Sequence, residues 1–295
     1  MANLKDIRNR IGSVRSTMQV TSAMKMVSAA KLKKAQNEVA KVRPFENKLT
    51  QIISFLGASV PNVELNYPAF RVSDKGKTVI VAIASDKGLA GAFNANVVKE
   101  VERLVTEDLK PLADEDRVEI VAIGKQLPKG LRSRHLSVPC HEVEGFYDNF
   151  TLDTVYSLAD SLAQRFAKKE LCKVIVVFNE FVNTAVQNVK DVQLLPLKLQ
   201  EPDEESGTLQ DFIVEPSREE VLEDLIPQAI RTRLLALLRE SLASEHGARM
   251  TAMHKATDNA TTLLGELQLQ YNKARQSAIT NELIEIVSGA SALNG

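Results

Sequence analysis

The longest pattern in the sequence is an apolar stripe near the C-terminus, between Arg218 and Gly289. Its members recur at steps of three and four residues, which places them on one face of a helix. No proline follows Pro227, so Gln228 to Ser288 could form a single helix about 90 Å long. A helix of that length is typical of a shaft. The stripe consists of Leu222, Ile226, Ile230, Leu234, Leu238, Leu242, Ala252, Ala256, Ala260, Leu263, Leu267, Tyr271, Ala274 and Ala278.

A second stripe occupies the first 57 residues and predicts another long helix, over residues 1–57, bent at Pro44 and ending at Gly57. Its first part has the alternating steps of a coiled-coil seam, at Leu4, Ile7, Ile11, Val14 and Met18. The seam then slips in phase. It resumes at Met24, Val27 or Ser28, Lys31 or Leu32, Ala35, Val39 and Val42. On pattern alone, Met18, Met24 and Met26 fit core packing better than a functional surface.

Between the two helices, over residues 77–200, short segments alternate between strand and helix patterns, and this predicts a small α/β domain. Four strands are expected, the last two as a hairpin, at 78–84, 118–123, 172–179 and 185–195. Three helices are expected, at 93–109, 125–131 and 152–168. Residues 58–76 fit a loop. Further on, we expect a mobile loop at 201–207, a strand at 211–214 and a capping box at Ser217 that starts a helix over 217–289.

Two seamed helices that flank one domain fold back most simply on each other as an antiparallel coiled coil. The first covers about 55 residues and the second about 70, so the second should overhang by about 15 residues, or about 22 Å. The overhang would run from Gln276 to Gly289, where the only charged residues are Glu282 and Glu285. An uncovered helix end with so few charges predicts that this tip sits inside another protein.

Charge is unevenly distributed along a chain whose formal net charge is −1. Residues 1–50 carry eleven Lys and Arg against three acids, and residues 201–224 carry ten acids against one Arg. This separation suggests different partners for different parts. The basic N-terminal helix lacks interleaved aromatic residues, so a solvated coiled-coil face is favoured over nucleic-acid binding.

Cysteine usage and hydropathy favour an intracellular protein without a membrane-spanning helix. Cys140 and Cys172 match no metal-site spacing, and we expect reduced thiols in an intracellular protein. The sequence contains no run of eighteen apolar residues, so no membrane span is predicted. The N-terminus lacks the apolar core of a secretory leader.

Two glycine-containing turns invite a phosphate-binding interpretation. Gly76-Lys77-Thr78 ends like a phosphate loop, but Arg71 stands where the leading glycine belongs, and the triplet precedes a strand. The segment 85–91 follows a strand and opens a helix, where backbone amides could bind an anion. A tight strand-to-helix turn needs the same glycines. The histidines show no ligand spacing, so no catalytic, cofactor-binding or metal-binding residue is predicted.

Long motifs at both ends and in the middle resemble the gamma subunit of the bacterial-type F-type ATP synthase, over the whole length of the chain. At the N-terminus these are 7–14, 21–27 and 31–36, and in the middle 85–94. At the C-terminus they are 244–245, 248–250, 256–260 and 271–280. One departure is Ala90, where many members of the family carry cysteine. Chloroplast members of the family also have an inserted, redox-regulated cysteine pair. This sequence has no such pair, so control of rotation by thiols is not expected.

The resemblance implies an α/β fold class: a long antiparallel coiled coil of the terminal helices with a central Rossmann-like α/β domain. It implies the central rotor shaft of the synthase, which couples transmembrane proton flow to ATP synthesis or hydrolysis on the beta subunits by rotation. Expected partners are the alpha and beta subunits of the catalytic hexamer, the epsilon subunit and the membrane-embedded c-ring. The chain itself would be non-catalytic, bind no nucleotide, nucleic acid or cofactor, and be a peripheral protein at the cytoplasmic face of the bacterial plasma membrane.

The resemblance also carries contacts with the beta subunit onto particular positions. Met24 matches a coupling methionine near acidic loops of beta, and Arg249 matches a basic residue of the same region. Setting Gly57 level with Ser217 places Met24 opposite about Met250. Polar contacts higher on the tip are expected at Arg275, Gln276, Thr280 and Glu282.

Two other classes of protein stay open from the residues alone. A static coiled-coil scaffold would have the same seams, but its end should be polar or capped. A phosphate-binding enzyme would use the turn at 85–91, but no acid, base or metal cluster accompanies that turn.

Overall fold

The computed structural model describes residues 4–60, 63–134, 136, 138–148, 150–184, 186–198 and 214–293. The chain forms two compact units. The smaller unit combines Met1–Ser28 with Arg249–Gly295, and the larger unit is Ala29–Ala248. Two long helices, α1 (Leu4–Ser59) and α7 (Arg218–Leu293), contribute to both units.

The larger unit contains a mixed five-stranded sheet with the spatial order β3-β2-β1-β4-β5. The first four strands run parallel, and β5 pairs antiparallel with β4. The strands are β1 (Lys77–Ile83), β2 (Val118–Ile123), β3 (Cys140–Glu142), β4 (Leu171–Phe181) and β5 (Gln187–Leu195). The central strand β1 is covered on both faces, with every residue from Val79 to Ile83 fully buried. Burial on both faces is why it reads as a continuous apolar run.

Helices cover both faces of the sheet. One face packs against α3 (Phe93–Arg103) and α5 (Gln126–Arg132). The other packs against α6 (Leu152–Ala167) and against the parts of α1 and α7 that belong to this unit. Short elements complete the unit: α2 (Val63–Asn66), a 3₁₀ turn at Pro68–Phe70, a π-helical turn at Leu104–Asp108 and α4 (Lys110–Asp114).

The expected fold class is confirmed: two long terminal helices pack together, and an α/β sheet lies between them in sequence. The four predicted strands and the hairpin are present. β3 was missed because it is three exposed residues long and has no periodicity. The helix expected to reach residue 109 ends at Arg103 and continues as the π-helical turn. The loop expected at 58–76 contains α2 and the 3₁₀ turn. The loop at 201–207 and the strand at 211–214, apart from Val214, lie outside the described residues.

The ends of the long helices follow local chemistry. The capping residue Ser217 accepts the amide hydrogen of Glu220 on Oγ over 3.2 Å, as the capping box predicts. The first long helix, α1, passes through Pro44 and Gly57 and stops at Ser59, two residues later than expected. Packing of Leu49, Ile53 and Leu56 against the sheet holds this last part of the helix.

Candidate interaction surfaces of the paired helices

Polar contacts between α1 and α7 set their antiparallel register in the smaller unit. Thr257 Oγ1 donates a hydrogen bond to Thr21 Oγ1 over 2.9 Å. One turn further along α1, Lys25 Nζ lies 3.3 Å from His254 Nδ1. At this register, Met24 lies level with His254.

The predicted register, which put Met24 opposite Met250, is therefore wrong by about one helical turn. It assumed that both helices leave the α/β domain at the same level. Instead, Tyr67 Oη donates a hydrogen bond to the carbonyl oxygen of Glu219, in the first turn of α7, over 3.1 Å. The start of α7 thus lies beside the segment that follows α1, and not beside the end of α1.

This register separates the two residues that were expected to form one contact region. Met24 is half-buried, whereas Arg249 is only 8% exposed. Arg249 precedes His254 by five residues, so its backbone lies about 8 Å along the helix axis from the level of Met24. The structure therefore does not place Met24 and Arg249 side by side.

The last turns of α7 are exposed from Arg275 to residue 290. At the observed register, Leu4 lies level with Ala274, so these turns extend past the described part of α1. The predicted overhang is thereby confirmed. Its exposed apolar side chains lie between 50% and 63% exposed, at Ile279, Leu283, Ile284, Ile286 and Val287.

The structure shows the exposure of the polar tip positions that the resemblance assigns to contacts with beta. Arg275, Gln276, Thr280 and Glu282 are all exposed. Thr280 Oγ1 donates to the carbonyl oxygen of Gln276 over 2.9 Å, so that hydroxyl hydrogen is used within its own helix.

A second exposed apolar surface lies on α1 and was missed from the sequence. Val20 is 58% exposed and Val27 is 57% exposed. With the half-buried Met24 between them, they stand at i, i+4 and i+7, on one face of the helix. Met26 is 66% exposed, so the expectation of core packing is wrong for that residue. The seam instead uses Ser28, which is 4% exposed. The phase slip in this stretch was the sequence signal for this surface, because after the slip the pattern did not determine which of these residues faces α7.

The glycine turn at 85–91 is closed by its own side chains. Asn94 Oδ1 accepts the Ser85 amide hydrogen over 3.0 Å, and Ser85 Oγ donates to the Lys87 carbonyl oxygen over 2.7 Å. The Ser85 amide is therefore already used within the protein and is not available to bind an anion, which favours a structural turn. Within the described residues, no group of three or more His, Cys, Asp and Glu side chains is placed to hold a metal ion.

Comparison with known proteins assigns the whole chain to one family. A family model described as ATP synthase matches residues 3–293. The ATP synthase gamma chain of Flavobacterium johnsoniae is 48% identical over 295 residues, covering 100% of both chains. The gamma chain of Christiangramia forsetii is 44% identical over 296 residues, again with 100% of both chains covered. The chain belongs to the ATP synthase gamma-chain family.

Solved structures agree with this assignment for the gamma-chain fold. A chain from the central stalk and c-ring of the Tetrahymena thermophila mitochondrial ATP synthase is 25% identical, with a TM-score of 0.55. The match covers 80% of this gamma chain and 99% of that chain. A chain of the Euglena gracilis mitochondrial ATP synthase has a TM-score of 0.67 at 17% identity and covers 98% of this gamma chain and 94% of that chain, which supports the fold alone.

Family membership confirms the function that the resemblance implied. This gamma chain is a subunit of an F-type ATP synthase and serves as its central rotor shaft. No helix in the described part of the chain has both the length and the hydropathy of a membrane span.

Proposed function

We propose that the chain turns as a non-catalytic rotor and transmits torque between proton flow through a membrane ring and the nucleotide sites of the beta subunits. Catalysis would then reside on beta. An asymmetric shaft that contacts three beta subunits differently favours a different conformation of each in turn, which is a shift of populations by differential contacts. The observation that carries this proposal is the exposed apolar tip of α7.

The tip has the surface of a segment that another protein covers. Five large apolar side chains on the last turns of α7 are half exposed or more. Isolated apolar residues are ordinary on a protein surface, but a continuous set on one helix end marks an interaction site. The occupant that fits is the apolar bearing at the centre of a ring of alpha and beta subunits.

We assign two further contact regions to beta. One is the stripe of Val20, Met24 and Val27 on α1, which presents apolar surface beside the cation of Lys25. The other is Arg249. This residue is largely buried, so a beta side chain would contact its guanidinium only through the small part that is exposed. Contacts that break at every step must each be weak, and single exposed ion pairs or hydrogen bonds of about 1 kcal/mol suit that role.

The polar residues of the tip are proposed to guide its rotation. Arg275, Gln276, Thr280 and Glu282 would exchange hydrogen bonds with successive beta subunits, because all four are exposed on the overhang. Their mixture of charges and amide or hydroxyl groups permits a different partner at each angle.

The remaining partners are assigned to the α/β domain and its surroundings. We propose that the epsilon subunit and the c-ring bind there, and that the chain is held peripherally at the cytoplasmic face of the bacterial plasma membrane. The functional division of the chain would be 1–57 and 217–289 for the shaft and 77–200 for the foot.

Reconstitution with the alpha and beta subunits tests the proposal. The complete chain should form a stable complex whose ATPase activity or coupling falls when residues 276–295 are removed. Assembly with unchanged coupled activity would move torque transfer to the two separate contact regions at Met24 and at Arg249. A folded chain that fails to bind alpha and beta would contradict the rotor and leave a static coiled-coil scaffold.

A further inference from the structure

A rotor transmits torque only if its α/β domain turns together with its paired helices. The two are joined in the larger unit by the apolar core that α1 and α7 share with the sheet. Apolar contact is non-directional, so by itself it resists separation better than it resists sliding. We call the contact region between the sheet and the adjoining parts of α1 and α7 the joint. Torque tends to slide these elements past each other, so the joint needs directional contacts, such as hydrogen bonds with defined geometry.

One carboxylate oxygen of α7 accepts hydrogen bonds from two other elements and so connects three elements at one atom. Glu240, on α7, is 9% exposed. Its Oε1 accepts a hydrogen bond from Arg43 Nη2 of α1 over 2.9 Å and from the amide nitrogen of Phe181, the last residue of β4, over 3.3 Å. β4 lies between β1 and β5 in the sheet, and its end at Phe181 extends past the pairing with β1 and pairs with Gln187 of β5. The contact with Glu240 therefore holds the projecting end of an interior strand.

The next turn of α7 repeats the attachment to β4. Ser244 Oγ donates a hydrogen bond to the carbonyl oxygen of Asn179 over 2.8 Å, and both residues are at most 1% exposed. At Gly247 an added Cβ would lie 3.2 Å from the Phe181 ring, so the helix approaches the end of the strand closely. Glu240, Ser244 and Gly247 therefore form one face of α7 that is fitted to the end of β4.

Other charged groups lie near Glu240, but their described contacts do not connect α1, α7 and β4 at one atom. Arg239 forms an ion pair with Glu38 of α1, and its guanidinium lies 4.6 Å from the centre of the Phe150 ring. Burial raises the pKa of the Glu46 carboxyl of α1, and the negative charge of Glu240 adds to this rise. Among the contacts described for the joint, the Glu240 carboxylate is the one that joins α1, α7 and β4 at a single atom.

We propose that Glu240 is the positioning residue that locks the α/β domain to the paired helices, so that torque passes between them. This proposal rests on the rotor function. Loss of the Glu240 carboxylate should leave the apolar core in place but allow the end of β4 to separate from α7 under load. Because the proposed function places catalysis on the beta subunits, we expect the effect in mechanical coupling and not in the hydrolysis step itself.

The local part of the proposal is tested by hydrogen exchange at the Phe181 amide in the assembled complex. In the wild type this amide hydrogen is held by Glu240 and should exchange slowly. Removal of a hydrogen bond to a charged group should make it exchange about tenfold faster in Glu240→Ala. Glu240→Gln keeps a carbonyl acceptor and should retain most of the protection. Glu223→Ala removes an exposed carboxylate from the same helix and is the matched control.

The mechanical part is tested in membrane vesicles that hold the complete synthase. With ATP supplied, Glu240→Ala should retain hydrolysis but lose proton uptake against an opposing gradient, whereas Glu223→Ala should match the wild type. If Glu240→Ala does not assemble, Arg43→Ala takes its place, because the Arg43 side chain is 55% exposed and its truncation leaves the core intact. That variant should show a smaller loss in the same direction.

The outcomes separate this proposal from the rotor function. Unchanged exchange at Phe181, or faster exchange with full proton uptake, would overturn the role of Glu240 while the wild-type complex still pumps. A wild-type complex that hydrolyses ATP and takes up no protons would instead overturn the function on which the proposal rests.

Discussion

The apolar tip of α7 provides the sharpest quantitative prediction. Ile279, Leu283 and Ile286 lie on one face of the last turns and are 50%, 57% and 63% exposed. Complete burial of such a side chain is worth about 1.5–3 kcal/mol. A little more than half of that remains available at each position, or about 1 kcal/mol per residue, so a binding partner that covers all three gains about 3–4 kcal/mol.

Changing all three residues to serine should therefore weaken binding to the alpha–beta hexamer by about 150- to 1,000-fold. The stability of the chain alone should hardly change, because the removed groups make few contacts within it. Titration of labelled chain into the hexamer gives the affinity, and thermal unfolding of the chain alone gives the stability. Phe45→Ser serves as the control, because Phe45 is 57% exposed and belongs to the larger unit, whereas the tip belongs to the smaller one.

Two results would refute this reasoning. Equal weakening by Phe45→Ser would show that any exposed apolar group contributes, and the tip would have no special role. A large loss of stability in the isolated triple variant would show that the tip packs within the chain, contrary to its exposure.

Two further predictions concern the α/β domain. Gly124 has φ +95, and an added Cβ would lie 2.3 Å from the carbonyl oxygen of Ala84. Gly124→Ala should therefore lower the free energy of unfolding in denaturant titration by about 3 kcal/mol or more, while Gly88→Ala, with open space around it, should not. Arg165 donates two hydrogen bonds to the buried Glu119, over 2.7 and 3.0 Å, and these bonds lower the pKa of that carboxyl. Arg165→Ala should cost about 2 kcal/mol at neutral pH, less than for a fully buried pair, because the Arg165 side chain is 33% exposed. Since the lowered pKa stabilises the fold above the unfolded value of about 4.3, the difference should shrink as the pH falls below about 4, and a constant difference would contradict the pairing.

Periodicity predicted the elements that are long or buried on both faces. β1 and β2 read as unbroken apolar runs because helices cover both sides of the sheet, and α7 read as one helix because its stripe repeats over many turns. β3 has neither property, since its three residues are exposed at an edge of the sheet. Its pairing with β2 comes from the tertiary fold, which no local pattern records.

The candidate surfaces were predictable only in part. The overhang followed from helix lengths, because rise per residue is nearly constant. The register did not follow, because it depends on where α7 starts, beside Tyr67 rather than beside the end of α1. The exposure of Met26 and Val27 was hidden for a different reason: a one-residue slip in the seam of α1 decides whether Val27 or Ser28 faces α7.

The joint around Glu240 was also invisible in the sequence. Arg43 and Glu240 are far apart along the chain, and Glu240 lies off the apolar stripe, beside Arg239, so it reads as part of the polar side of the helix. Only the tertiary structure brings its carboxylate to the end of β4 and to α1.

Direct observation of rotation tests the central claim most directly. Cys140 is exposed and Cys172 is buried, so a thiol-reactive linker can attach a bead to the α/β domain through Cys140. With the alpha and beta subunits fixed to a surface, addition of ATP should turn the bead continuously in one direction, and the Cys140→Ser complex should capture no bead. ATP hydrolysis by bead-bearing complexes with no net rotation would contradict the account and favour a static scaffold.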